Sequence, residues 1–161
     1  MRPSFENKFC DPATVRERVA VLSRKLAFTN GVFDVLHRGH VSYLAEARSL
    51  GSSLIVALNS DASVKRLGKG DDRPINTLED RMAVIAALEC VSLVTWFEED
   101  TPLARIIEVR PDVLVKGGDW AIDKVVGGAE VTAWGGSVHA INFQFERSTT
   151  AMLKKIRTPQ R

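Results

Sequence analysis

The sequence predicts an α/β domain of three layers, in which helices cover both faces of a mostly parallel five-stranded sheet. Short apolar runs alternate along the chain with segments whose apolar residues recur at helical spacing. The run at 54–58, LIVAL, is apolar without interruption, which is typical of a parallel strand buried on both faces. Because ligands bind beyond the carboxyl ends of the strands in such sheets, we expect the functional residues there.

The first third of the chain is predicted to form a helix, a strand and a second helix. The first helix spans 12–25, and the strand at 26–29 ends at the turn dipeptide Asn30-Gly31. The second helix spans 40–50 and ends before Gly51, a residue suited to a helix C-terminus. The side chains expected to face the core are Val15, Val19 and Leu22 from the first helix and Val41, Leu44, Ala45 and Ala47 from the second.

The middle of the chain continues the alternation. After the strand at 54–58, Asp61 is expected to cap a short helix, and the polar segment 68–74 is expected to be a loop. Thr77 is expected to cap a helix over 78–89. The core-facing residues of that helix are predicted to be Met82, Ile85, Ala86 and Leu88.

The last third is predicted to add three strands and three helices. The strand at 91–97 is followed by Thr101 and Pro102, which are typical of an N-cap and a first helical residue, in a helix that runs to 110. Ser148 is expected to cap the final helix, which runs through 156. The elements between them are a strand at 112–116, a helix at 128–134 and a strand at 138–141.

Composition indicates one globular unit. With 161 residues, 45% of them hydrophobic and 26% charged, the chain can form a core without disulfides. We expect an N-terminal extension at 1–25, a domain at 26–157 and a frayed tail at 158–161. A net charge of +2 is too balanced for a protein that coats nucleic acid. The two separated cysteines, the lack of an apolar signal segment and the lack of a run of about 18 apolar residues favour the cytoplasm over a membrane.

Two histidines open the second helix, directly after the first strand. His37 and His40 lie three residues apart in TNGVFDVLHRGH, so a helix presents both imidazoles to nearly the same side. Free N–H groups at a helix N-terminus favour phosphate, and Gly39 permits close approach of the backbone. Capping and metal binding are the alternatives, although no third zinc ligand is suitably spaced. The position at the expected ligand edge favours anion binding.

A basic, glycine-containing loop follows the second strand and its short helix. Such a loop can close over a triphosphate or a sugar phosphate, and a solvated surface loop is the alternative. Arg81, on the next helix, either faces the site or is a surface arginine. The basic residues of the loop region are Lys65, Arg66, Lys69 and Arg73.

Two further segments lie at the expected ligand edge. In KGGDW, 116–120, the glycines let the main chain approach a base or ribose, and Asp119 can accept hydrogen bonds from hydroxyls; a simple turn is the alternative. Trp120 either stacks on a ligand or covers the core. The segment STT, 148–150, offers hydroxyls and free N–H groups to an anion, although in isolation it is also an ordinary helix cap.

Together these segments resemble a known family. The HxGH signature after a GxFD turn is similar to that of the nucleotidyltransferase superfamily that includes the cytidylyltransferases. The blocks TNGVFDVLHRGHVSYL, NSDASVKRLGKGDDRPIN, LVKGGDW and STT resemble the D-glycero-β-D-manno-heptose 1-phosphate adenylyltransferases, and the resemblance covers 29–156. Relatives often carry Gly or Cys just before Ser148, where this chain has Arg147.

The resemblance implies a Rossmann-like nucleotidyltransferase that transfers AMP from ATP to heptose 1-phosphate. The products would be pyrophosphate and ADP-heptose, a precursor of the lipopolysaccharide inner core. Mg²⁺ is expected to accompany ATP, with no protein side chain assigned as its ligand. The protein is expected to be a homodimer that binds neither nucleic acid nor membrane.

The same resemblance implies roles for individual residues. The implied catalytic residues are His37, His40, Lys69 and Arg73. The implied nucleotide-binding residues are Thr29, Asn30, Gly31, Phe33, His37, Gly39, His40, Lys116, Gly118, Asp119, Ser148, Thr149 and Thr150. The implied sugar-phosphate-binding residues are Asn59, Asp61, Lys65, Arg73, Arg81 and Trp120.

Two other functions stay open from the residues alone. One is a cytidylyltransferase acting on a polyol phosphate such as glycerol 3-phosphate. The other is a nucleotide-binding module without catalytic activity. A nucleic-acid role for the basic tail is disfavoured, because basic residues near the end of the last helix complement its dipole.

Overall fold

The computed structural model describes residues 3–68, 70–143, 145 and 148–158. Five strands form one parallel sheet in the order β3-β2-β1-β4-β5. The strands are β1 (Leu26–Gly31), β2 (Ser53–Asn59), β3 (Leu93–Phe97), β4 (Val113–Gly117) and β5 (Ser137–Ile141). The helices are α1 (Val15–Ala20), α2 (Arg38–Ser49), α3 (Asp61–Arg66), α4 (Leu78–Ala86), α5 (Leu103–Val109), α6 (Gly128–Ala133) and α7 (Thr149–Arg157), with 3₁₀ turns at Ser4–Lys8, Pro12–Thr14 and Ile122–Lys124. The predicted fold class is therefore confirmed, and the sheet is entirely parallel.

The order of the strands places a crevice between β1 and β4. The chain builds β1, β2 and β3 outward in one direction, then returns to the other side of β1 for β4 and β5. The loop that follows β1 therefore leads toward β2, and the loop that follows β4 leads toward β5 on the other side. These two loops diverge, which leaves a crevice at the carboxyl ends of β1 and β4. This is the point of a doubly wound sheet at which ligands bind.

Two apolar clusters cover the two faces of the sheet. Strand β2 is buried along its whole length, as the uninterrupted run at 54–58 predicts. On one face, α2 and α4 pack against alternate strand residues such as Ala27 and Val56. On the other face, α1, α5 and α6 pack against the intervening residues such as Phe28 and Ile55. The N-terminal segment contributes Cys10 and Val15 to this second cluster.

Several predicted boundaries differ from the observed ones. The helix expected over 12–25 is a 3₁₀ turn at Pro12–Thr14 followed by the six-residue α1, and residues 21–25 form the turn that leads into β1. The helix expected over 78–89 ends at Ala86. In α2, Val41 and Ala45 are exposed, and the buried stripe runs instead through Tyr43, Leu44 and Ala47.

Two predicted N-caps are confirmed and two are wrong. Thr77 caps α4, and Ser148 caps α7, each through its side-chain oxygen. The cap of α3 is Ser60, whose hydroxyl accepts the Ser63 N–H at 3.1 Å, while Asp61 is the first helical residue and pairs with an arginine. Helix α5 starts after Pro102, so Thr101 lies one residue too early to cap it.

No helix in the described part of the chain is long and apolar enough to cross a membrane.

Candidate active site

A cavity of about 550 Å³ opens at the carboxyl ends of β1 and β4. Segments far apart in sequence meet around it: the turn after β1, the start of α2, the loop before α4, the end of β4 and the start of α7. Its lining consists of Asn30, Gly31, Val32, Phe33, Asp34, His37, His40, Tyr43, Arg73, Lys116, Gly117, Trp120, Phe143, Ser148, Thr149 and Thr150. The ligand edge expected from the sheet topology is therefore a real concavity.

The imidazoles of His37 and His40 converge on this cavity. His37 is the N-cap residue of α2, and its carbonyl accepts the His40 N–H at 3.0 Å. The two rings stack with centroids 3.8 Å apart and an interplanar angle of 21°. A Cβ on Gly39 would lie 3.0 Å from the His37 ring and 3.1 Å from the Phe145 carbonyl oxygen, so a glycine between the histidines allows this packing.

His40 is held neutral at physiological pH. Burial, reinforced by the neighbouring His37, lowers the pKa of His40 from 6.5 to about 4, and a hydrogen bond with the Val35 backbone offsets only part of this shift. The Phe33 ring meets the His40 ring edge to face, with centroids 5.2 Å apart. A neutral imidazole has one N–H donor, and the Val35 backbone accepts it, so the second ring nitrogen of His40 is an acceptor until the ring is protonated.

The turn after β1 is shaped by Gly31 and Phe33. Phe33 has a positive φ of 48°, which is uncommon for a bulky residue. Its ring covers the Gly31 backbone so closely that a Cβ on Gly31 would lie 2.8 Å from a ring carbon. The Gly31 position therefore needs glycine for steric reasons, and the turn presents Phe33 beside the histidines.

A buried ion pair joins this turn to the loop before α4. Asp34 accepts a hydrogen bond from Arg73 Nε at 2.6 Å. Burial by itself would raise the pKa of Asp34, but hydrogen bonds from the backbone N–H groups of Asn76 and Ile75 and from Arg73 outweigh burial and hold the pKa below its usual value. Arg73 thus lies in the cavity beside a carboxylate that is ionised at neutral pH.

Aromatic side chains line the wall formed by the end of β4. Tyr43 Oη lies 2.6 Å from Thr29 Oγ1 and 3.3 Å from the Val115 carbonyl oxygen. Burial raises the pKa of Tyr43 to about 12, although the Thr29 hydrogen bond opposes the shift. A Cβ on Gly117 would lie 2.7 Å from a ring carbon of Phe143, so this glycine lets the aromatic ring reach the strand backbone. This wall is suited to a flat aromatic ligand such as a nucleobase.

Cationic and amide groups complete the cavity. Lys116 Nζ lies 5.6 Å from the centre of the Trp120 ring. At the start of α7, Ser148 Oγ accepts the Ala151 N–H at 3.0 Å, and the Thr149 hydroxyl donates to the Val35 carbonyl at 3.3 Å. The N-terminus of α7 is thereby tied to the turn that carries the histidines, and its partial positive charge favours an anion in the cavity.

A second cavity of about 430 Å³ lies beside the first one. The two share Asn30, Gly31, Val32, Lys116 and Trp120 along the ends of β1 and β4. Its other walls come from the ends of β2 and β3 and from the 3₁₀ turn after β4, and they include Asn59, Phe97, Asp100, Thr101, Pro102 and Lys124. Two ligands that react with each other can therefore lie side by side across the end of β1.

The structure brings most of the expected site residues together. Those that line the first cavity are Asn30, Gly31, Phe33, His37, His40, Arg73, Lys116, Trp120, Ser148, Thr149 and Thr150, and Asn59 lines the second. Those that line neither are Thr29, Gly39, Asp61, Lys65, Arg81, Gly118 and Asp119. Lys69 and Arg147 lie outside the described residues.

Arg81 is buried next to the cavity and stabilises the backbone that forms its wall. Its side chain is fully buried and donates to the Val32 carbonyl at 2.9 Å, to the Asn76 carbonyl at 3.1 Å and to Asp61 Oδ1 at 2.7 Å. These bonds tie the turn after β1 to the start of α4. Arg81 and Asp61 thus hold the main chain that shapes the cavity, and the guanidinium is neither a surface group nor part of the cavity lining.

Five residues that line the first cavity were not assigned to the site from the sequence, and Asp34, Tyr43 and Phe143 are the most informative of them. Asp34 stands in the FD dipeptide of the quoted motif, and its place at the ligand edge was a usable signal. Tyr43 lies three residues after His40, so helical spacing puts it on the same side of α2. Phe143 follows β5 and has no local signal, because only the packing of β5 against β4 brings it to Gly117.

The described residues contain no cluster of three or more His, Cys, Asp or Glu side chains able to hold a metal ion. Asp34 is the one carboxylate among the lining residues of the first cavity, which is larger than the second and is called the large cavity below. Its oxygens already accept hydrogen bonds from Arg73 and from two backbone N–H groups. The donor set of the described chain is therefore arranged for an anion and does not form a resident metal site.

Comparison with known proteins gives consistent matches. A family model described as cytidylyltransferase-like matches residues 28–159. The D-beta-D-heptose 1-phosphate adenylyltransferase of Bordetella bronchiseptica is 57% identical over 155 residues, which cover 95% of this chain and 96% of that protein. The bifunctional protein HldE of Salmonella dublin is 56% identical over 146 residues, and the chain spans only 30% of its length.

Solved structures show the same fold. The lipopolysaccharide core biosynthesis protein from Thermoplasma volcanium GSS1 superposes with a TM-score of 0.62 and 30% identity, covering 76% of this chain and 98% of that one. A pantoate-beta-alanine ligase from Francisella tularensis superposes with a TM-score of 0.60 over 88% of this chain and 68% of that one. Its sequence identity is 14%, so this second likeness concerns the fold alone.

Proposed function

Because the chain belongs to the cytidylyltransferase-like family, we propose that it is a heptose 1-phosphate adenylyltransferase, which transfers AMP from ATP to D-glycero-D-manno-heptose 1-phosphate. The products are ADP-heptose, for the lipopolysaccharide core, and pyrophosphate. The observation that carries the proposal is the stacked pair of His37 and His40 at a helix N-terminus, inside a cavity at the β1–β4 crevice. The 57% identity to a protein of that name, over nearly the whole of both chains, supports heptose 1-phosphate and ATP as the substrates.

The proposed reaction is a direct in-line displacement at the α-phosphorus of ATP. A phosphate oxygen of the sugar phosphate forms the new bond to the α-phosphorus, and the bond from that phosphorus to the bridging oxygen of pyrophosphate breaks. The attacking phosphate is already ionised near pH 7, so the reaction needs no strong general base. Catalysis then depends on positioning and on stabilising the negative charge in the transition state.

The groups that line the first cavity suit different parts of ATP. The His37 and His40 imidazoles would contact the oxygens of the α-phosphate and the departing pyrophosphate, and a bound polyanion would favour the protonated form of His40, which has a second N–H to donate. Arg73 and the N-terminus of α7 would hold the terminal phosphates. The wall of Tyr43 and Phe143 would take the base. We retain Lys69 of the basic loop as a proposed phosphate ligand.

Mg²⁺ is proposed to enter as part of the substrate, Mg·ATP. The described chain has no carboxylate cluster for a resident ion, and Asp34 is occupied by Arg73. When bound with ATP, the ion would neutralise triphosphate oxygens. The protein groups would then orient a complex whose metal ligands are phosphate oxygens and water.

We propose the second cavity as the sugar site. It opens beside the first across Asn30 and Gly31, so a sugar phosphate bound there would reach the α-phosphorus from the side of β2 and β3. Asn59, Thr101 and Lys124 supply polar groups for hydroxyls, and Trp120 lies at the boundary of the two cavities. We also propose a cytoplasmic homodimer, as the family resemblance implies, and light scattering measures the stoichiometry.

A pyrophosphate-release assay tests the proposal. ATP, CTP and GTP are each combined with heptose 1-phosphate, other sugar phosphates and glycerol 3-phosphate, and phosphorus NMR identifies the product and its anomer. We expect turnover with ATP and heptose 1-phosphate. Turnover with CTP and glycerol 3-phosphate would instead establish the polyol cytidylyltransferase, and ATP binding without turnover for every acceptor would indicate a module without catalytic activity.

A further inference from the structure

One buried carboxylate holds the turn after β1 against the loop before α4. Asp34 accepts hydrogen bonds from Arg73 Nε at 2.6 Å and from the backbone N–H groups of Ile75 and Asn76, both at 2.9 Å. Its carbonyl oxygen also accepts from Asn76 Nδ2 at 2.6 Å. The Asp34 side chain is fully buried, and that of Arg73 is 6% exposed. Three donors on two carboxylate oxygens lock this group in one orientation.

The ion pair uses only the Nε–H of the Arg73 guanidinium. Within the described part of the chain, Nη1 and Nη2 of Arg73 make no hydrogen bond, although the side chain is nearly buried. Arg73 lines the large cavity together with both histidines. Because a guanidinium is planar, a fixed Nε–H also fixes the direction of its four other N–H groups. These groups form the fork that matches two oxygens of a phosphate.

We propose that Asp34 is a positioning residue for polyphosphate binding and acts through Arg73, whose free Nη1 and Nη2 it aims at the phosphate oxygens. The inference rests on the proposed function, since it takes a polyphosphate as the ligand of the large cavity. Asp34 itself would repel an anion, and both of its carboxylate oxygens already accept hydrogen bonds from protein donors. Its bonds to Ile75 and Asn76 also hold the end of the loop that carries Arg73. The Asp34 side chain therefore fixes both the position of this loop backbone and the orientation of the guanidinium.

The chain offers a matched control for a merely structural role. Asp112 likewise accepts a backbone N–H, that of Leu26 at 2.7 Å, and an arginine Nε–H, that of Arg24 at 3.2 Å. It lies at the amino ends of β1 and β4, the opposite edge of the sheet, and lines neither cavity. Asp112→Asn therefore removes the same kind of interaction without reaching the proposed phosphates.

The experiment measures binding of inorganic tripolyphosphate and of ATP by calorimetry, together with Tm, for the full chain and four variants. The variants are Asp34→Asn, Arg73→Lys, the double variant and Asp112→Asn. We expect Asp34→Asn and Arg73→Lys each to weaken tripolyphosphate binding by about tenfold or more, since hydrogen bonds to charged groups are strong. The double variant should bind no more weakly than Arg73→Lys alone, because Asp34 acts through Arg73. Asp112→Asn should lower Tm and leave both dissociation constants unchanged.

The outcomes separate the inference from the function on which it rests. If the wild-type chain binds tripolyphosphate and Asp34→Asn binds it equally well, or if the two single effects add in the double variant, the positioning role is refuted while the function stands. If the wild-type chain binds neither ligand, the proposed function fails and the positioning role fails with it. If Asp34→Asn does not fold, Arg73→Lys decides, because a lysine cannot pair with Asp34 and present a fork at the same time. Near-wild-type affinity in that variant overturns the inference.

Discussion

Two stacked imidazoles lie in the large cavity, those of His37 and His40. His37 and His40 stack with ring centroids 3.8 Å apart in a partly buried site. Burial, and secondarily the neighbouring His37, lowers the pKa of His40 to about 4, so this residue is uncharged near pH 7 when no ligand is bound. Sequence spacing predicted that the rings share one side of α2, but not their stacking or the burial that sets the pKa.

Replacing His40 by alanine is expected to lower kcat by roughly 10²–10³, the usual effect of removing one donor aimed at transition-state charge. Pyrophosphate release under saturating substrates measures it. His139→Ala is the control, because that histidine bonds Ser137 on β5 and lines neither cavity. Near-normal turnover of His40→Ala would remove the residue from the proposed mechanism.

The low pKa of His40 also predicts a dependence of stability on pH. Between about pH 6.5 and pH 4 the unfolded chain binds a proton at this position and the folded chain does not, so the free energy of unfolding falls as the pH is lowered through this window. Below pH 4 both states are protonated, and the loss from this residue levels off.

Urea denaturation of the wild type and of His40→Ala at pH 7 and pH 5 measures this contribution. The loss of stability between the two pH values should be smaller in the variant, because the other titrating groups, such as Asp34 and Asp112, are common to both proteins. An equal loss in the two proteins would show that His40 titrates normally.

At the level of secondary structure, two helices with serine caps differ in where their N-termini lie relative to the large cavity. Ser148 caps α7 at the rim of the large cavity, and Ser60 caps α3, away from the lining of that cavity. Hydrophobic periodicity and cap residues predicted both helices, because these signals are local to the segment. Which of the two N-termini faces a ligand depends on the position of each helix against the sheet.

Replacing either serine by alanine is expected to lower the free energy of unfolding by about 1 kcal/mol, because each side chain accepts a backbone N–H. Only Ser148→Ala should also raise the KM for ATP, since Ser148 and the first turn of α7 line the cavity. Ser60→Ala is the matched control for the loss of a cap. Equal KM values for the two variants would contradict the role of α7 in phosphate binding.

For the whole molecule, the crevice between β1 and β4 joins the two halves of the sheet. A triphosphate bound there would contact the turn after β1, the loop before α4, the end of β4 and the start of α7, which all line the cavity. These segments are separated by tens of residues, so a ligand that bridges them stabilises the folded state as a whole and does not affect one loop alone.

ATP with Mg²⁺ is therefore expected to add about 2.7 kcal/mol to the free energy of unfolding at a hundred times the dissociation constant, and to raise Tm further with the logarithm of its concentration. Differential scanning calorimetry over a series of ATP concentrations measures the shift. Adenosine, which lacks the phosphates, is the comparison ligand and should stabilise far less. An equal effect of adenosine would show that the base carries the binding and the cationic groups do not.

The limits of prediction from the sequence follow from the range of the interactions involved. The strand at 54–58, the caps Thr77 and Ser148 and the pair of histidines were all predictable, because apolar periodicity and capping depend on residues within a few positions of one another. The parallel sheet followed from the alternation of these elements, and the ligand edge followed from the sheet.

The pairings inside the cavity needed the packed chain. Asp34 meets Arg73 across 39 positions, and Phe143 reaches Gly117 only after β5 pairs with β4. Arg81 gave the same motif signal as a ligand-binding arginine, yet it turns inward to the carbonyl of Val32. A side chain's partner is set by which segments pack together and by the burial that results, and neither quantity is encoded in the local spacing of residues.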